Sequence, residues 1–76
     1  MYKYQRVKDL REDRDLRQEE IAKKLNKHLT TYRRWEAGES EIPTHIIKEL
    51  AIYYNTTADY ILGIIDEPRK IFPNKK

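Results

Sequence analysis

Residues 18–36 read QEEIAKKLNKHLTTYRRWE. Ile21, Ala22 and Leu25 share one face of a helix that starts near Gln18. Glu19 and Glu20 lie in its first turn, where acidic groups favour the positive end of the helix dipole. Asn26 follows, a residue type that tolerates a left-handed backbone, and a turn is expected there. Leu29, Tyr32 and Trp35 then recur every three residues and mark a second helix, which Gly38 ends. Ala22 is small where two such helices must approach closely, and Tyr32 and Trp35 supply the bulk that fixes their angle. Thr30, Arg33 and Arg34 fall opposite the apolar stripe, on the exposed side. A helix pair of this shape can lay one helix in the DNA major groove while the other crosses the backbone.

The flanking sequence is also helical. Tyr4, Val7 and Leu10 recur every three residues, Arg11 and Arg14 continue past them, and the spacing predicts a helix over residues 3–14, with Leu16 in a short connection. Residues 37–43, AGESEIP, read as a loop. Pro43 and Thr44 open a fourth helix carrying Ile46, Ile47, Leu50, Ala51 and Tyr54, and Asn55 closes it. Thr56 or Thr57 caps a short fifth helix with Ala58, Ile61 and Leu62, stopped by Gly63. No segment carries a comparable strand signal. An all-α, five-helix domain over residues 1–65 is expected, followed by a basic, flexible tail over 66–76 in which Ile71 and Phe72 are apolar enough to dock.

Size and composition narrow the function. A 76-residue chain has room for one domain, and a domain this short buries only about 60% of the surface its unfolded chain exposes. No run approaches the roughly 18 apolar residues of a transmembrane helix, and residues 1–4 lack the apolar stretch of a signal peptide, so a cytoplasmic location is expected. There is no cysteine, and His28 and His45 stand too far apart in sequence to suggest a metal pair. Ser40 is the only serine, and five short helices offer little concavity. Neither enzymatic activity nor a cofactor is expected. The net charge of +3 is unevenly spread: residues 1–35 carry eleven Lys/Arg against six Asp/Glu, residues 36–68 only Lys48 against seven acids, and residues 69–76 four basic groups and no acid. Such a chain can present a basic face to a polyanion and turn the other away.

Several fragments in order resemble the lambda-repressor-like (Cro/CI or Xre type) helix-turn-helix family. They are RVKDLR at 6–11, LRQEEIA at 16–22, LN at 25–26, YRRWE at 32–36, Gly38, the loop to Ile42 and Pro43, and DYILG at 59–63. The resemblance runs from about residue 5 to residue 63. It implies that the helix-turn-helix is formed by helices 2 and 3, with helix 3 as the recognition helix. Gln18 then opens the motif and would bind a phosphate, while His28, Leu29 and Thr30 start the recognition helix where base edges are usually read. Arg33 and Arg34 point the same way or at flanking phosphates, and Thr31 would bond a phosphate. Arg34 is the favoured base reader, and Arg33 has either role open. Arg11 and Glu36 hold places where the family often has a salt bridge between helix 1 and the end of helix 3.

The chain departs from the family pattern at several positions. Asn26 replaces a common glycine, Lys27 a buried aliphatic residue, His28 a capping Ser or Thr, and Arg17 another capping residue, at which a phosphate contact is expected instead. Leu29 either swings inward to fill the space Lys27 leaves or stays exposed and touches a thymine methyl. Glu39 and Glu41 stand in the loop after helix 3 in place of basic groups. Family members dimerise through the region of the fifth helix, and Thr57, Ala58, Ile61, Ile64 and Ile65 are the expected interface, unless that strip closes the core of a monomer. The expectation is a sequence-specific regulator of transcription, a repressor, binding duplex DNA as a homodimer. The alternative is a protein-interaction module on the same fold, such as an antitoxin or the partner of an anti-repressor. No small-molecule substrate and no membrane partner is expected.

Overall fold

The computed structural model describes residues 4–72, and the expectations for residues 1–3 and 73–76 lie outside it. Five helices follow in order: α1 (Gln5–Asp13), α2 (Gln18–Lys24), α3 (Leu29–Ala37), α4 (Thr44–Tyr54) and α5 (Ala58–Leu62). No strand is present among the described residues, and no helix among them is long and apolar enough to cross a membrane. The apolar stripes read from the sequence converge on one core. Val7 and Leu10 of α1, Ile21 and Ala22 of α2, Tyr32 and Trp35 of α3, five residues of α4, and Ile61 of α5 are all buried in it.

All five helices stop in the same way. Each ends on a residue with positive φ: Asp15 (55°), Asn26 (59°), Gly38 (77°), Asn55 (53°) and Gly63 (84°). The next residue donates its N–H back to a carbonyl five positions earlier. These bonds are Leu16 to Arg11 (3.1 Å), Lys27 to Ala22 (2.9 Å), Glu39 to Arg34 (2.9 Å), Thr56 to Ala51 (2.9 Å) and Ile64 to Asp59 (2.8 Å). This is the six-to-one bond of the Schellman motif, which satisfies carbonyls that a helix end would otherwise leave unpaired. Four of the five stops are legible as Asn or Gly. Asp15 is the one missed, because aspartate is a less common choice in this conformation.

Three arginines, Arg6 and Arg11 of α1 and Arg14 just after it, each clamp a different neighbour. Arg6 donates to the carbonyls of Tyr60 (3.0 Å) and Ile65 and to the Asp66 carboxylate (3.1 Å), and its guanidinium lies 4.3 Å from the centre of the Tyr60 ring. Arg11 reaches Glu36 at the end of α3. Arg14 donates to the Tyr54 carbonyl at the end of α4 (3.0 Å), with its guanidinium 4.9 Å from the Tyr54 ring centre. Among the described residues no helix follows α5, and the contacts that tie residues 66–72 to the body include two sets of hydrogen bonds. One is Asp66 on Arg6; in the other, the Asn55 amide pairs with both the N–H (2.8 Å) and the carbonyl (3.0 Å) of Phe72. Thr57, not Thr56, caps α5 by accepting from the Tyr60 N–H (3.1 Å).

The left-handed stops set a test of the fold. Gly63 has nothing within 4 Å of where a Cβ would sit, so Gly63→Ala is charged only with left-handed strain, about 1 kcal/mol of stability. Asp15→Gly removes the same kind of strain from α1 and is expected to stabilise the protein by roughly 0.5–1 kcal/mol. Urea denaturation of both variants checks the two opposite signs.

Candidate nucleic-acid interface

The helix α3 is divided lengthwise. Tyr32 and Trp35 are buried on its inner side, their rings packed edge to face with centroids 6.4 Å apart. Thr30, Arg33, Arg34 and Ala37 are exposed on the outer side at helical spacing. A helix with its side chains is about 10–12 Å across, a good match for a major groove about 12 Å wide. The Arg34 side chain has no hydrogen bond or ion pair among the described residues, so its full donor set is available to a ligand.

The rest of the expected contact set lies around this stripe. His28 is the N-cap of α3 with an extended backbone, exposed, and makes no side-chain cap bond. Leu29 is half-buried and packs against the core, so the inward alternative describes it. That packing follows from Lys27, which is exposed and leaves its place in the core to be filled. Thr31 is half-buried and lines a shallow groove between α2 and α3 together with Lys23, Asn26, Lys27 and His28. Arg17 is the exposed N-cap of α2, and its N–H is satisfied by the Glu20 carboxylate (2.7 Å).

Behind α3 lies a hydrogen-bond network that holds it in place. The Arg11 guanidinium meets Glu36 with two N–H groups, Nε to Oε2 at 2.6 Å and Nη2 to Oε1 at 3.2 Å. It also donates to the Leu16 carbonyl (2.7 Å). Tyr32 Oη and Gln18 Nε2 (3.0 Å) donate to the same carboxylate. The side chains of Glu36 and Arg11 are only 5% and 11% exposed. Burial by itself favours the neutral carboxyl, but the donors from Arg11, Tyr32 and Gln18 outweigh it and hold Glu36 below the usual carboxylate range. The same arrangement raises Tyr32, first by burial and then by its bond to the carboxylate. Gln18, expected to face a phosphate, is thus half-buried and already engaged through its amide nitrogen.

A family model described as helix-turn-helix matches residues 7–61. The chain belongs to this family, in its lambda-repressor-like branch of DNA-binding regulators. The chain is also 34% identical over 64 residues, 84% of its length, to a protein of Bacillus subtilis (strain 168) named "Uncharacterized HTH-type transcriptional regulator YobD". That stretch spans 57% of the relative's length. No solved structure matches the chain.

One expectation for this helix-turn-helix protein is corrected. Ile61, expected at a dimer interface, is 1% exposed and belongs to the monomer core, because α5 turns that side chain inward against α1 and α4. Ala58 also packs partly against the core, and Thr57 and Ile65 are half-buried. The exposed apolar side chains here are Ile64 (69%) and Leu62 (47%). Leu62 was missed because the sequence alone does not fix the rotation of a five-residue helix. Lys8 was missed as well: α1 carries it, outside the two helices of the helix-turn-helix, yet it lines a groove with Gln18 and Arg33.

The Glu36 network sets a pH dependence. A carboxylate whose pKa is lowered by folding contributes stability that is complete above its ordinary value of 4.5 and is lost as pH falls through the lowered one. Stability should therefore decline on acidification below about pH 4.5. Glu36→Gln should flatten that decline and cost about 2–4 kcal/mol at neutral pH, since Arg11 then keeps only the exposed Glu12 at 3.9 Å as a charge partner. Urea titrations at a series of pH values check both effects.

Proposed function

We propose that this protein is a sequence-specific regulator of transcription that binds duplex DNA with α3 in the major groove. The observation that carries this reading is the outer stripe of α3, where Arg34 is exposed and uncommitted while the opposite side of the helix is fixed by Tyr32, Trp35 and Glu36. Membership of the helix-turn-helix family supports it, as does the similarity to a protein named as a transcriptional regulator. In this reading Arg34 takes the edge of a guanine, a bidentate contact worth about 1–3 kcal/mol of discrimination. Thr30 reads a neighbouring base, and Thr31, His28 and Arg17 meet the flanking backbone.

The protein acts as a homodimer in this reading, through Leu62 and Ile64 and the half-buried Thr57, Ala58 and Ile65 beside them. The exposure of two large aliphatic side chains at the end of α5 supports that surface. A two-fold dimer reads half-sites about 34–36 Å apart. Repression is the simplest consequence of such binding, since a domain seated in the groove excludes other proteins from the same site.

Selection from random duplexes followed by sequencing should enrich a palindromic site. Arg34→Ala should lose preference at one base position in each half-site while the protein stays folded. Ile64→Asp should shift the protein toward monomer in sedimentation and weaken binding to the full palindrome far more than to a half-site. Failure to enrich any sequence would overturn the regulator reading.

A further inference from the structure

The α1 helix borders a groove to which it brings Lys8, a residue outside the set of contacts read from the motif. It is lined by Lys8, Arg11, Gln18, Arg33, Glu36 and Ala37. Its charges fall into two groups. Arg11 and Glu36 neutralise each other at the bottom of the groove. Lys8 and Arg33 are exposed at its rim, and neither forms an ion pair among the described residues. The groove therefore carries two uncompensated positive charges.

The orientation of Gln18 follows from its neighbours. An ionised carboxylate only accepts hydrogen bonds, so Gln18 must turn its NH2 group to Glu36, which it does at 3.0 Å. Its carbonyl is left facing Arg33, whose Nε donates to it at 3.3 Å. One of the five N–H donors of Arg33 is thereby committed, and four remain. The bond draws the guanidinium toward α2 and the groove, away from the outward axis of α3 along which Arg34 is free.

We propose that this groove binds one phosphate of the DNA backbone between Lys8 and Arg33, with Gln18 as the positioning residue that aims Arg33 at it. Arg33 then supplies affinity without sequence choice, and α1 contributes a backbone contact of its own. The inference rests on the DNA-binding reading above and assigns Arg33 to one of the two roles open to it.

The test is the salt dependence of binding to the selected duplex. Each phosphate contact contributes about 0.9 to the slope of log affinity against log salt. Lys8→Gln and Arg33→Gln should each lower the slope by about one unit and leave the selected sequence and the thermal midpoint unchanged. Gln18→Met should weaken binding in the native background and cost nothing further once Arg33→Gln is present, a coupling that independent sites do not show. An unchanged slope in Lys8→Gln, or an altered base preference in Arg33→Gln, overturns the proposal while leaving the DNA-binding reading intact. If the unaltered protein binds no duplex, the DNA-binding reading itself fails, and that is seen before any variant is compared. Inorganic phosphate at constant ionic strength should compete no better than chloride. Selective competition by it would mean a free-anion site and overturn the assignment to the backbone.

Discussion

The Glu36 carboxylate is the point at which the helix-turn-helix is joined to the rest of the molecule. Four donors from three helices converge on it, from Arg11 of α1, Gln18 of α2 and Tyr32 of its own α3. The packing of Tyr32 and Trp35 sets the angle of α3, and the carboxylate adds directional partners that fix its rotation further. A nearly buried charge with such partners does not tolerate displacement, because any misplacement leaves it desolvated and unpaired. The position of the outer stripe of α3 is in this way set from its inner side. The surface that would meet DNA inherits its precision from a carboxylate that never touches it.

The α1 helix has a related role. Arg6 and Arg11, with Arg14 just past its last residue, fasten it to the ends of α5, α3 and α4, so it works as a bracket across helices too short to be stable alone. Counting basic residues in the first half of the chain therefore overstates the charge available to a polyanion. Arg6, Arg11 and Arg14 are committed to carbonyls, rings and carboxylates of the fold. Apart from Glu36 and Asp66, which pair with Arg11 and Arg6, the acids of the second half are different: Glu39, Glu41, Glu49, Asp59 and Glu67 are exposed and form no ion pair among the described residues. The asymmetry at the surface is carried less by total charge than by which groups remain without partners.

Much of this architecture was legible in the sequence, for reasons that differ by feature. The spacing of Ile21, Ala22, Leu25, Leu29, Tyr32 and Trp35 defines two helix faces directly, and the structure buries all but the half-buried Leu29. Asn26, Gly38, Asn55 and Gly63 announced their left-handed turns, and the pairing of Arg11 with Glu36 came from the family resemblance. What escaped depends on three-dimensional rotation. The short α5 left Ile61 and Leu62 indistinguishable by type, yet one is in the core and the other in solvent. Lys8 joins Gln18 and Arg33 only because folding brings α1 to the same groove. The clasp of Asn55 on Phe72 joins a helix stop to a residue seventeen positions on, and no local pattern encodes it.

Arg33 and Arg34 stand in different surroundings although nothing in their local sequence separates them. Adjacent in sequence and identical in type, they differ by one turn-angle of about 100° around α3. That rotation brings Arg33 within reach of Gln18 and leaves Arg34 facing outward. The difference traces back through Gln18 to Glu36, whose ionised state dictates which end of the Gln18 amide faces Arg33. A protonated Glu36 would be able to donate as well as accept, and the amide would lose its reason to hold one orientation. The low pKa of a buried structural carboxylate and the different surroundings of two surface arginines are therefore consequences of one arrangement.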